Sequence, residues 1–156
     1  SMGLWGQKGG VWYRTAEFYY DSRKTGRQQT DGEYADDLAR LAGGQDIRGV
    51  VLDPSAASFR EELLRRGWTV YRAENEVLSG IRRTAELLRA GQLVICTPCE
   101  DAIREFGLYR WDTAASGDRV VKEHDHAMDD IRYFAVTVAG RRRDGFFAGT
   151  VERGGG

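Results

Sequence analysis

The sequence contains only two histidines and two cysteines, and no uninterrupted apolar run approaches the roughly eighteen residues that a membrane span needs. No membrane helix is expected. The N-terminus lacks the charged-then-apolar pattern of a secretion signal, so the expected location is intracellular, in the cytoplasm. Cys96 and Cys99 form a single C-T-P-C, too few for a disulfide framework. A redox dithiol or half of a zinc site is chemically conceivable, but there is no second cysteine pair, and His124-x-His126 lacks the usual zinc-finger spacing. The reading is therefore structural cysteine at the end of a core strand. Net charge is scarce too: the total is -1, with a pI near 6.1. This gives no global attraction to nucleic acid, so a polyanion would have to be met by a local basic patch or by bound cations.

What is present is enough apolar sequence for one core. The 156 residues are 41% hydrophobic and 30% charged, which suits one globular folding unit and not a disordered chain. Two aromatic-rich runs flank Gln7-Lys8-Gly9-Gly10, and the Gly-Gly pair predicts a tight hairpin whose second strand covers Val11 to Tyr20. "DSRKTGRQQ" reads as a polar loop. Thr30 and Glu33 then match a capping box that opens a helix from about Asp31 to Leu41. Beyond Gly43-Gly44 strands and helices alternate: "IRGVVLD", "AASFREELLRRG", "WTVYRA", "EVLSGIRRTAELLRAG" and "QLVIC". Thr97, Pro98 and Glu100 are read as the cap, first-turn proline and capping-box partner of "CEDAIREFG". A last helix is expected from near His124 through "AMDDIRYFAVTVA". Residues 1–140 thus form the domain, and 141–156 a basic, glycine-rich flexible tail. The pattern implies an α/β fold, a mixed sheet flanked by helices.

Asp53 ends the apolar run "GVVLD" and precedes Pro54-Ser55, which places a carboxylate at the C-terminal edge of a buried strand. Ligands of open α/β sheets usually bind there, although a turn aspartate bonding the following backbone has the same signature. On the last helix His126, Asp129 (or Asp130) and Tyr133 share one stripe, while Met128, Ile131 and Ala135 share another. The second stripe is expected to bury and the first to be presented. The competing account of the first is an acidic helix start favoured by the dipole, with histidine a bystander. Asp53 combined with His126 and Asp129 supplies hard ligands suited to Mg²⁺ or Mn²⁺, and such cations would draw phosphate to an acidic cleft. Among the arginines, Arg65, Arg66, Arg82 and Arg83 lie on helices as solvated faces or as part of a phosphate path. Arg141 to Arg143 are a DNA contact or an ordinary basic tail.

"YYDSRKTGRQQTDGEYADDL", "VVLDPSAASF", "AENEVLSGI", "YRWD" and "KEHDHAMDDIRY", in this order, resemble the C-terminal nuclease domain of the large terminase subunit of tailed bacteriophages and prophages. The resemblance runs from about Gly3 to Val138. It implies a ribonuclease H-like fold and a two-metal Mg²⁺ or Mn²⁺ endonuclease that cuts concatemeric viral DNA during packaging. By the same resemblance Asp53, His126 and Asp129 are the catalytic residues and metal ligands. The implied partners are double-stranded viral DNA, the terminase ATPase domain, the small terminase subunit and the portal, with no membrane.

The sequence departs from that family in one respect. Family members carry a further aspartate in a "DYGT"-like first strand, whereas this sequence opens at "SMGLWG". The expectation is a sheet lacking its first strand, weak or undetectable cleavage, and an exposed edge open to pairing in a homo-oligomer. No G-x-x-x-x-G-K-[ST] occurs, so no ATPase motor is expected here. The alternative is a catalytically silent packaging component that binds DNA or packaging partners. A third option is another phosphoryl-transfer enzyme on the same fold.

Overall fold

Gly9 and Gly10 take φ values of 58° and 78°, which a side chain would resist, and they turn β1 (Met2–Lys8) directly into β2 (Val11–Phe18). The computed structural model describes residues 1–108, 125–140 and 149–153. After the hairpin come α1 (Ser22–Thr25), α2 (Asp31–Ala42), β3 (Val50–Leu52), α3 (Ala57–Arg65), β4 (Val70–Arg72), α4 (Val77–Arg89), β5 (Leu93–Ile95), α5 (Glu100–Leu108), α6 (His126–Phe134) with a π-helical extension Ala135–Ala139, and β6 (Gly149–Arg153). The capping box of α2 forms as read: Thr30 Oγ1 accepts from the Glu33 amide at 3.2 Å, and a Glu33 carboxylate oxygen accepts from the Thr30 amide at 2.8 Å. The loop expected over "DSRKTGRQQ" contains the short helix α1, capped by Asp21.

Among the described residues six strands form one sheet, ordered β4-β3-β6-β1-β2-β5. β1 is antiparallel to both β2 and β6, whereas β3 runs parallel to β4 and β6, and β2 parallel to β5. The sheet expected to lack a strand is therefore continuous. Residues 149–153, read from sequence as part of a flexible tail, form its third strand and pair with both β1 and β3. Local composition concealed this, because so short a segment inside a glycine-rich stretch becomes a strand through two long-range partners and not through propensity. The edge expected to lie open beside the hairpin is paired with β6, and the outer edges belong to β4 and β5. Leu52 pairs with Arg153, Arg153 with Met2, and Met2 with Phe18, so the ends of β3 and β2 reach the same side of the sheet.

A bulge in the hairpin decides which side chains face the site. Leu4 pairs with Ala16 but Trp5 with Arg14, which leaves Thr15 as the extra residue. Before the bulge Trp12 faces the α6 side; after it Ala16 and Phe18 pack on the α2 and α3 side. The same shift brings Glu17 onto the face of Arg14, with their charged groups 3.3 Å apart. In a regular strand residues three apart point to opposite faces.

Both sheet faces are buried. Trp5, Trp12, Val51 and Leu93 pack with Ile131 and Phe134 on one face; Met2, Leu4, Val50 and Leu52 pack with Leu38, Phe59 and Leu63 on the other. Phe134 stacks on Trp5, with ring centroids 4.2 Å apart and planes 7° from parallel, and this fixes α6 across the sheet.

Candidate active site at the end of strand β3

Asp53 follows β3 immediately and is 8% exposed. Its Oδ1 accepts from the Ser55 amide and the Ser55 hydroxyl, each at 2.7 Å, and its Oδ2 accepts from the Tyr133 hydroxyl at 2.7 Å. The turn role and the site role thus coexist, one on each oxygen. Burial pushes the carboxyl upward, but the Ser55 and Tyr133 hydroxyls, the Ser55 amide and the charge of Arg132 outweigh it and hold Asp53 below the usual carboxylate range. Tyr133 responds in the opposite sense. Its own burial, the bond to Asp53 and the negative charge of Asp129 all push its hydroxyl upward, so it remains a donor.

The start of α6 is held by a residue from another helix. Glu105 of α5 is fully buried, and its Oε2 accepts from the Ala127 and Met128 amides at 2.6 and 3.1 Å, while its Oε1 accepts from the Tyr19 hydroxyl at 2.8 Å. Glu17 does the same for α5, accepting from the Asp101 amide at 2.6 Å. This replaces the cap read at Thr97: α5 begins only at Glu100, with Thr97 and Pro98 in the preceding turn.

The two aspartates left open as alternatives on α6 take separate roles. Asp130 is fully buried against the fully buried Arg14, whose guanidinium donates to both of its oxygens. Asp129 accepts from Arg132 Nη2 at 2.7 Å, and its negative charge helps to push the Tyr133 hydroxyl upward. Arg132 is 3% exposed, and its Nε and Nη1 have no hydrogen-bond partner among the described residues. It passes over Gly80 of α4, where any Cβ would collide with its side chain. The stripe of Asp129 and Tyr133, expected to be presented, is buried with Met128, Ile131 and Ala135, because the end of β3 packs against it.

Asp53 is thus bonded to Tyr133 of α6, and Asp129, one turn earlier on the same helix, is bonded to Arg132. His126 is half-buried at the first turn of α6, its ring edge-on to Tyr19 with centroids 6.2 Å apart. Among the described residues no three His, Cys, Asp or Glu side chains are grouped so as to hold a metal ion. His124, "YRWD" and Arg141 to Arg143 lie outside the described residues. Sequence reasoning placed Tyr133 in the right stripe without assigning its bond to Asp53, and it missed Arg132, Glu17 and Glu105. The i,i+3 spacing of Asp129 and Arg132 was a usable signal; the two remote caps left none.

The cysteines are both free. Cys99 is buried, donates to the Arg14 carbonyl at 3.3 Å, and has its thiol pushed up to about 11, chiefly by burial. That is the opposite of an activated thiolate. Arg65, Arg66 and Arg83 are engaged by carboxylates of Glu62, Asp36 and Glu86, which makes them surface ion pairs. No helix of the described residues is long and apolar enough to cross a membrane.

No family model matches the chain, and no curated protein matches it. Solved structures do. The large terminase of a thermophilic bacteriophage, in complex with ADP, shares 41% identity over 87% of this chain, with a TM-score of 0.85. The same terminase in complex with ATP-gamma-S gives the same identity and TM-score. The match covers 35% and 36% of those two chains, so this chain spans about a third of their length. The P22 large terminase nuclease domain shares 20% identity, covers 86% of this chain and 71% of its own, and superposes with a TM-score of 0.66, which speaks to the fold. This chain belongs to the phage large-terminase family and carries the ribonuclease H-like fold of its nuclease domain.

Proposed function

We propose that this chain is a metal-dependent DNA endonuclease domain that cuts concatemeric phage DNA during genome packaging in the host cytoplasm. The observation that supports this most is the bond from the Tyr133 hydroxyl to Asp53 at the end of β3, because Asp129 lies one turn before Tyr133 on α6. Asp53 stands at the sheet edge where α/β folds place their ligands, and that bond draws the acidic start of α6 toward it. Carboxylates are the donors that a hard divalent cation such as Mg²⁺ or Mn²⁺ takes, and Asp53 and Asp129 would be its ligands, with His126, one turn earlier on α6, as the third donor. When bound, the cation supplies Lewis-acid polarisation of a phosphoryl oxygen and an activated water.

The residues of the chain do the rest. Tyr133 and Ser55 hold the Asp53 carboxylate ionised and oriented. Arg132 pairs with Asp129 and adds positive charge that helps to keep Asp53 ionised. Double-stranded viral DNA is the proposed substrate; the ATPase domain, the small terminase subunit and the portal are the proposed partners.

Plasmid nicking in Mn²⁺ tests this reading. Wild-type protein should nick, and Asp53→Asn and Asp129→Asn should each abolish it; nicking that survives both changes overturns the assignment.

One observation favours a second reading, a packaging component that binds DNA without cutting it. Both carboxylates are already engaged by protein donors, and no three-ligand group forms among the described residues. Calorimetry separates the two: absence of Mn²⁺ binding at millimolar metal favours the silent component.

A further inference from the structure

On the side of β3 away from α6, the ends of β3 and β4 open into a cleft of about 390 Å³ lined by Leu52, Asp53, Pro54, Arg60, Val70 and Arg72. Arg72 is the last residue of β4 and pairs with Leu52 in the parallel register, while Arg60 lies on the first turn of α3. Both are exposed. Among the described residues neither forms an ion pair or a side-chain hydrogen bond, unlike Arg65 and Arg66 farther along α3.

Two arginines pointed at one cavity repel each other unless an anion joins them. The described residues supply none. Asp53, the one carboxylate lining the cleft, spends its oxygens on Ser55 and Tyr133, and the first turn of α3 contains no acidic residue. The remaining lining, Leu52, Pro54 and Val70, is apolar, with no aromatic ring on which a base could stack. A guanidinium fork matches the paired oxygens of a phosphodiester, and small aliphatic groups suit a sugar.

We propose that this cleft holds the sugar–phosphate backbone of nucleic acid next to the phosphate that reaches Asp53, with Arg60 and Arg72 each contacting a phosphate and no base being read. The proposal rests on the nuclease reading and extends it, because the cleft and the site share Asp53. Sequence-independent contacts of this kind set the register of a duplex on a protein. They also give a chain of net charge -1 the local attraction to a polyanion that its bulk charge denies.

The test is binding of the full chain to a fluorescent DNA duplex in EDTA, titrated across NaCl concentrations, so that it is independent of cleavage. Arg60→Ala/Arg72→Ala should weaken binding and flatten the slope of log K against log salt by about 0.9 for each phosphate no longer neutralised. Arg60→Lys/Arg72→Lys should keep the slope and lose only part of the affinity. A control, Arg82→Ala/Arg89→Ala on α4, removes the same charge elsewhere and should leave the slope unchanged. An unchanged slope in the cleft variant at wild-type thermal stability, or an equal loss in the control, overturns the proposal. Failure of the nuclease reading would show instead as wild-type protein that binds DNA but never nicks it.

Discussion

The Tyr133 hydroxyl donates to Asp53 Oδ2 across 2.7 Å and ties α6 to the end of β3. This bond helps to keep Asp53 ionised and fixes the direction from which a ligand meets its carboxylate. Tyr133→Phe removes the donor but keeps the ring. The expected stability loss is about 1 kcal/mol, the usual scale of one hydrogen bond, measurable by urea denaturation. Nicking activity should fall with little change in DNA affinity, since the hydroxyl orients Asp53 and does not hold the duplex.

The same bond has a pH signature. Asp53 is held below its ordinary value, so its ionised form stabilises the fold at pH above the unfolded carboxyl pKa of about 3.9. That contribution is lost as pH falls through the depressed folded value. Tyr133→Phe should therefore lose most relative stability near neutrality and converge on wild type in strong acid. A difference that grew on acidification would contradict this sign.

Asp130 and Arg14 are both fully buried, and Arg14, which also pairs with Glu17 at 3.3 Å, donates to both Asp130 oxygens. Asp130→Ala should destabilise the protein by up to about 3–5 kcal/mol, the scale of breaking a buried ion pair by removing one partner, less whatever Glu17 still compensates. Chemical denaturation checks this, and a change well below about 1 kcal/mol would show that Glu17 alone compensates Arg14.

Gly80 leaves room for Arg132 to cross α4. Gly80→Ala should displace that side chain and cost about 1–3 kcal/mol through overpacking. In the background of Arg132→Ala the same substitution should be far milder, because the colliding atoms are gone.

β6 stitches β1 to β3. Ending the chain at Gly140 removes that strand and bares two inner edges, which pair readily with another chain. Light scattering should show association of the truncated protein at concentrations where the full chain shows less. Equal behaviour would mean that β6 adds little to the sheet.

The sequence disclosed elements wherever the signal was local. Gly9-Gly10 marked the hairpin, Thr30 and Glu33 marked the cap of α2, and the apolar run ending at Asp53 marked a strand delivering a carboxylate. It concealed whatever depended on remote partners. Nothing near Ala127 announces that Glu105 caps its amide, and nothing near Glu17 announces α5. The strand Gly149–Arg153 looked like tail because its partners, β1 and β3, lie far away in sequence. The ambiguity between Asp129 and Asp130 was intrinsic to helical spacing, and only the position of the buried Arg14 resolves it.

The most direct test is a double-mutant cycle on Mn²⁺ binding, followed by the electron paramagnetic resonance signal of free Mn²⁺. If Asp53 and Asp129 share one ion, Asp53→Asn and Asp129→Asn should each weaken binding by at least about tenfold, and the double variant should be little worse than either single one. Binding that is unaffected by either change, or losses that add in full, would contradict a shared cation site.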